Sequence, residues 1–209
     1  MRRICVFCGS SPGSRPEYGD AAVELGRTLA EQGIGLVYGG ADVGTMGILA
    51  HAVLENGGEV IGVIPKALVE KEVAFTALDD LRIVNSMHER KALMAELSDG
   101  FIALPGGLGT IEEFVESLTW TQLGIHRKPC GLLDVRGYFQ HLIAFLDHMT
   151  DQKFLVPAHR EMVIIDSDPQ TLLEKFAGFQ PPVVDKADWA IRLNSRAPQS
   201  PDFLPNNSG

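Results

Sequence analysis

Apolar and polar positions along this chain alternate between two periods. Short runs with almost no polar interruption fall at Arg3–Gly9, Gly35–Tyr38, Glu59–Ile64, Gly100–Leu104, Cys130–Leu133 and Met162–Ile165, with a shorter one at Arg82–Val84. Runs of this kind, bounded by glycine and proline, predict strands buried on both faces. Between them lie stretches with helical spacing, at about Glu17–Gln32, Thr45–Glu55, Ser86–Leu97, Thr110–Leu123, Gly137–Met149 and Pro169–Phe176. In the first of these, Ala22, Leu25, Leu29 and Ala30 form the apolar stripe and Gly33 ends it. Strands separated by helices of this length imply βαβ units, which need a parallel sheet with right-handed crossovers. The expected fold is α/β: a single Rossmann-like, doubly wound parallel sheet flanked by helices, spanning residues 1–180. Lys66–Leu81 is less regular. Residues 181–209 are proline-rich and read as a C-terminal extension whose last dozen residues are expected to be mobile.

The connections after the strands narrow the chemistry. Gly9–Gly13, Gly39–Gly44 and Pro105–Thr110 are rich in glycine, and in an open parallel sheet ligands bind at the carboxyl ends of the strands. The third reads Pro105-Gly106-Gly107-Leu108-Gly109-Thr110-Ile111-Glu112-Glu113. A glycine-rich turn from strand to helix presents free backbone N–H groups and a helix N-terminus, which suits a phosphate. Two carboxylates follow at once, which suggests chemistry on the bound molecule. No Gly-x-Gly-x-x-Gly follows the first strand and no Gly-x-x-x-x-Gly-Lys-Ser/Thr occurs, so dinucleotide and Walker-type sites are not indicated. His51, His88, His126, His141, His148 and His159 show no metal-ligand pairing. A nucleoside monophosphate or a sugar phosphate, handled without metal or cofactor, is the expected ligand.

Local physics gives the same acids a second reading. Thr110-x-x-Glu113 has the form of a capping box, and Glu112 is an acid in a favourable first turn. Ser86 and Glu89 form a second box, for which capping is the preferred reading. Arg90 is different, because helical spacing places it on the inward stripe Met87, Arg90, Met94 and Leu97. A buried guanidinium needs an anionic partner, unless its stem packs while its head reaches solvent. Lys91 beside it reads as solvated.

Charge and cysteines remove other classes. The chain carries 18 basic and 27 acidic residues, a formal net charge of −9, which argues against a nucleic-acid surface. No apolar run approaches the ~20 residues that span a bilayer, and the N-terminus passes directly into strand-like sequence, so a cytoplasmic protein without membrane partners is expected. Three cysteines, Cys5, Cys8 and Cys130, an odd count without a secretory signal, give no disulfide framework, although Cys5-Val6-Phe7-Cys8 has the C-x-x-C form of a redox or metal pair. Cys5 and Cys8 sit three apart on one strand and point to opposite faces, so a structural role is expected.

The motif Pro-Gly-Gly-Leu-Gly-Thr-Ile-Glu-Glu resembles the PGGxGTxxE motif of the Lonely Guy (LOG) family, the cytokinin riboside 5′-monophosphate phosphoribohydrolases. CVFCGSSP (residues 5–12), LVYGGADVGTMG (36–47), MHERK (87–91) and TWTQLGIHRKPCGLL (119–133) resemble further blocks of that family in the same order. The resemblance implies hydrolysis of the N-glycosidic bond of an N6-modified adenosine monophosphate to free base and ribose 5-phosphate. It makes Arg90 and Glu113 the catalytic pair. It assigns Ser10, Gly40, Met87, Lys91, Gly106, Gly107, Gly109 and Thr110 to substrate and phosphate binding, and implies at least a homodimer. The chain departs from the family at Ala41, usually glycine, where a positive φ would be strained, and at Thr45, commonly leucine. A broader nucleosidase acting on AMP, and a non-catalytic nucleotide- or cofactor-binding module, are the alternatives.

Overall fold

The computed structural model describes residues 1–69, 74–182 and 191 of the 209 in the chain. Seven strands form one wholly parallel sheet: β1 (Arg3–Phe7), β2 (Gly35–Tyr38), β3 (Val60–Pro65), β4 (Asp80–Val84), β5 (Phe101–Ala103), β6 (Cys130–Leu133) and β7 (Val163–Asp166). Their spatial order is β4-β3-β2-β1-β5-β6-β7. The chain therefore winds outward from β1 to β4, returns to the middle, and winds outward again from β5. Connectivity reverses between β1 and β5, and the crossovers on either side of that point diverge and leave a crevice at the strand ends.

The helices are α1 (Pro16–Glu31), α2 (Gly44–Glu55), α3 (Met87–Leu97), α4 (Leu108–Gln122), α5 (Gln140–Asp151), α6 (Pro157–Arg160) and α7 (Pro169–Ala177). They cover both faces of the sheet. Ile4, Val6, Leu36 and Tyr38 point to one layer and pack on α1, α2 and α7 through residues such as Leu25, Leu49 and Phe176. Cys5, Phe7, Val37 and Phe101 point to the other, against Met94 of α3, Phe114 of α4 and Leu146 of α5. Cys5 and Cys8 do fall on opposite faces, and both are free thiols. Burial pushes the Cys8 thiol up to about 12, so it stays protonated and inert.

Several expected boundaries move. Helix α4 begins at Leu108, with Gly107 at its N-cap and no side chain capping it. Thr110 and Glu113 thus lie inside the helix, and the capping box read from them does not exist. Ser86 does cap α3, accepting a hydrogen bond from Glu89 N–H at 3.1 Å, while the Glu89 carboxylate accepts one from Asn85 N–H at 2.7 Å. The helix expected from Gly137 instead begins at Gln140, after a 3₁₀ turn at Val135–Gly137 in which Arg136 has φ 56°. The short α6 had no periodic signature. Ala41 is free of the suspected strain, because the positive φ of 79° falls on Gly40 and Ala41 forms an isolated bridge with Ala74. The proposed C-terminal extension lies, apart from its first residues and Ile191, outside the described residues.

Candidate active site

A cavity of about 300 Å³ opens at the β1/β5 switch point. Its walls come from the turn after β1, the turn after β2, the first turn of α3 and the N-terminal turns of α4. Seven of the residues singled out by sequence line it together: Ser10, Met87, Arg90, Gly107, Gly109, Thr110 and Glu113. Its volume is near the lower end of the range for small-ligand pockets.

Arg90 is buried, as its position on the α3 stripe predicted. The side chains of Arg90 and Glu113 are 7% and 12% exposed, and Nη2 lies 4.0 Å from Glu113 Oε1. The guanidinium also donates to the Gly39 carbonyl at 3.4 Å and approaches Met87 Sδ at 3.9 Å. Room for it comes from Gly39, since a Cβ there would collide with Nη2. A carboxylate and a guanidinium drawn from different helices are thus held together on the floor of the cavity. The pairing answers the cost of burying either charge alone.

The N-terminus of α4 lines the same cavity, with Gly109 one helical turn before Glu113. Gly106 is packed into the protein: a Cβ there would strike the Thr110 hydroxyl and come 3.0 Å from Gly9 N. Its carbonyl accepts a hydrogen bond from Tyr138 Oη at 2.6 Å. Gly107 and Gly109 differ, because a Cβ at either would meet nothing within 4 Å. Their open sides leave backbone accessible at the positive end of a helix of 15 residues, a geometry that receives a phosphate.

Three candidates sit apart from the lining. Gly40 faces β3, where a Cβ would press on Leu81 and Ile64, and its neighbour Gly39 lines the cavity instead. Gly106 faces an adjoining recess with Tyr18 and Tyr138. Lys91, expected in solvent, is largely covered and bridges Glu112 at 2.7 Å and Glu116 at 2.9 Å. Burial alone would lower its pKa, but hydrogen bonds to Glu112 and Glu116 outweigh that and raise it. Glu112 accordingly ties α4 to α3.

Comparison with known proteins decides the family. A family model described as "Possible lysine decarboxylase" matches residues 46–176. A probable cytokinin riboside 5′-monophosphate phosphoribohydrolase of Oryza sativa subsp. japonica, LOGL9, is 52% identical over 181 residues, covering 87% of this chain and 80% of its own. The Arabidopsis thaliana cytokinin riboside 5′-monophosphate phosphoribohydrolase LOG1 is 44% identical over 201 residues, covering 95% of this chain and 94% of its own. The chain belongs to the LOG family. Among solved structures, the molybdenum cofactor binding protein of Rippkaea orientalis shares the fold with a TM-score of 0.64 at 26% identity, over 85% of this chain and 96% of that one. The decarboxylase description does not suit this LOG chain's cleft. Lys91, beside the cavity, is held charged by two carboxylates, whereas a Schiff-base lysine must lose its proton.

Sequence reasoning assigned no site role to Gly39, Met46 or Tyr138. Gly39 carried a signal, as the first residue of a glycine pair closing a strand. Tyr138 carried none, because its distance of 32 residues from Gly106 is bridged only by the fold.

Proposed function

We propose that this protein hydrolyses the N-glycosidic bond of cytokinin riboside 5′-monophosphates, N6-modified forms of AMP, releasing the free base and ribose 5-phosphate. The observation that carries the reading is that one cavity is lined both by the Arg90–Glu113 pair and by the open N-terminus of α4, with Gly109 one helical turn before Glu113. A phosphate docked at Gly107, Gly109 and Thr110 directs its ribose toward Glu113. As the bond to the base breaks, positive charge develops on the sugar ring, and a fixed carboxylate stabilises that state or takes a proton from the attacking water. Water adds to the anomeric carbon and its proton passes to Glu113; the base leaves with the bonding electron pair and takes up one proton from solvent, and Glu113 returns its proton to solvent to complete the cycle. Arg90 orients Glu113 and favours its ionised form.

Relatives at 44–52% identity whose names give this reaction and substrate support the reading. The R. orientalis neighbour, a cofactor binding protein, favours a non-catalytic binding module instead, but a pure binder has no need for a buried carboxylate beside a phosphate cradle. A homodimer belongs to the same proposal. Val115 on α4 and Leu123 and Ile125 just beyond it are exposed apolar residues that a second copy would cover.

The test is to incubate the protein with isopentenyl-AMP and with AMP and to follow free base and ribose 5-phosphate. Release from isopentenyl-AMP well above that from AMP is the expected result. Equal release identifies a broader nucleosidase, and binding without release identifies a carrier.

A further inference from the structure

We infer that Thr45 is a positioning residue that fixes the Gly9–Ser10 turn as the cavity wall facing the N-terminus of α4, and so sets the affinity for the phosphoribosyl end of the substrate. Thr45 lies in the first turn of α2 and is 1% exposed. A buried hydroxyl in an apolar layer is costly unless its hydrogen bonds are made. Here both are spent on one residue of a neighbouring loop. Thr45 Oγ1 accepts from Gly9 N–H at 3.0 Å and donates to the Gly9 carbonyl at 3.1 Å.

The residues on either side of Thr45 press on the same turn. Met46 N–H donates to the Gly9 carbonyl at 3.3 Å. Gly44, with φ 58°, lies so close to the Ser10 backbone that a Cβ would collide with it. The three residues that start α2 therefore grip the two that open the turn after β1. Ser10 in turn lines both the main cavity and the recess behind it, so a shift at Gly9 moves the wall of each. Because its N–H is already committed to Thr45, Gly9 is an anchor, and Ser10 is the residue of the turn left to meet an anion.

The inference rests on the phosphoribohydrolase reading, and the experiment separates the two. Wild type, Thr45→Val, Thr45→Ala and Thr45→Ser are compared by steady-state kinetics with isopentenyl-AMP and by calorimetric binding of ribose 5-phosphate. Valine keeps the shape and removes the hydroxyl. KM and the ribose 5-phosphate Kd are expected to rise on the order of tenfold, as for one buried hydrogen bond lost, with kcat within about twofold. Serine keeps the hydroxyl and should restore both constants. A wild-type KM in a folded valine variant overturns the inference. So does a loss confined to kcat, or a serine variant as impaired as valine. If valine misfolds, alanine carries the comparison; if neither folds, Thr45 is a core residue and the inference falls. Wild type that neither binds ribose 5-phosphate nor releases base defeats the parent reading, and this one with it.

Discussion

Replacing Glu113 by glutamine tests the site at its centre. Glutamine keeps size and an acceptor oxygen but removes the charge. Glu113 sits in the second turn of α4 and caps nothing, so the start of the helix is untouched. The stability cost follows from the pair it leaves. At 4.0 Å, with both side chains nearly covered, unit charges interact by about 4 kcal/mol at an effective dielectric of ~20. Part of that was already offset by desolvating the carboxylate, and the amide oxygen can still accept from Arg90, so a net loss of about 1–2 kcal/mol is expected. For a domain of this length that lowers Tm by roughly 2–8 °C. The catalytic cost is larger. Loss of a positioned base or charge stabiliser slows turnover by about 10²- to 10⁴-fold. Base release measured by chromatography, alongside Tm and calorimetric binding of isopentenyl-AMP, resolves the two effects. Turnover within about fivefold of wild type in a folded, nucleotide-binding variant would refute the assignment.

Gly39→Ala is expected to leave the fold intact and disable the site: its Cβ would collide with the Arg90 guanidinium and crowd Met46 Sδ at 3.2 Å. The flexible guanidinium gives way, and displacement of about 1 Å costs on the order of a hundredfold in kcat; unchanged kcat would mean that Arg90 need not sit where it does. His126 supplies a pH test remote from catalysis. Burial, with a smaller contribution from Lys128, lowers its pKa from 6.5 to about 4, and its ring stacks on Phe101 at a centroid distance of 5.2 Å. Between those two values the unfolded chain binds a proton that the fold excludes, so stability falls as pH drops from 6.5 toward 4. Replacement of His126 by glutamine should flatten Tm against pH in that window, and curves of equal slope would contradict the burial argument.

What was legible in the sequence was whatever rests on periodicity. Strands buried on both faces read as uninterrupted apolar runs, and the α3 stripe put Arg90 on an inward face, leaving open only whether its head reached solvent, which it does not. Local signals misled where two of them shared the same residues. Thr110-x-x-Glu113 satisfies the pattern of a capping box, yet the helix starts two residues earlier, because Gly107 can serve as N-cap and Thr110 packs against Gly106. Lys91 read as solvated because its partners, Glu112 and Glu116, lie more than twenty residues away on another helix. Thr45 was visible only as a departure from the family pattern. Its link to Gly9 joins residues 36 apart, and only the parallel pairing of β1 with β2 brings their following turns together.

The glycines of the turns after β2 and β5 sort into two kinds, and the sorting bears on what the second turn is for. At Gly39, Gly44 and Gly106 the space of the missing side chain is occupied by Arg90, by the Ser10 backbone and by Thr110. Those glycines are required by the fold itself. Gly107 and Gly109 have no such neighbour and neither has a positive φ. Gly109 lies within α4, where glycine costs about 1 kcal/mol relative to alanine. Among the described residues, no packing contact at Gly109 offsets that cost. A ligand whose oxygens approach the backbone there would offset it, as the proposed phosphate site requires. These two glycines, which no packing contact requires, are therefore where the proposed phosphate site is best tested, one to two helical turns before Glu113.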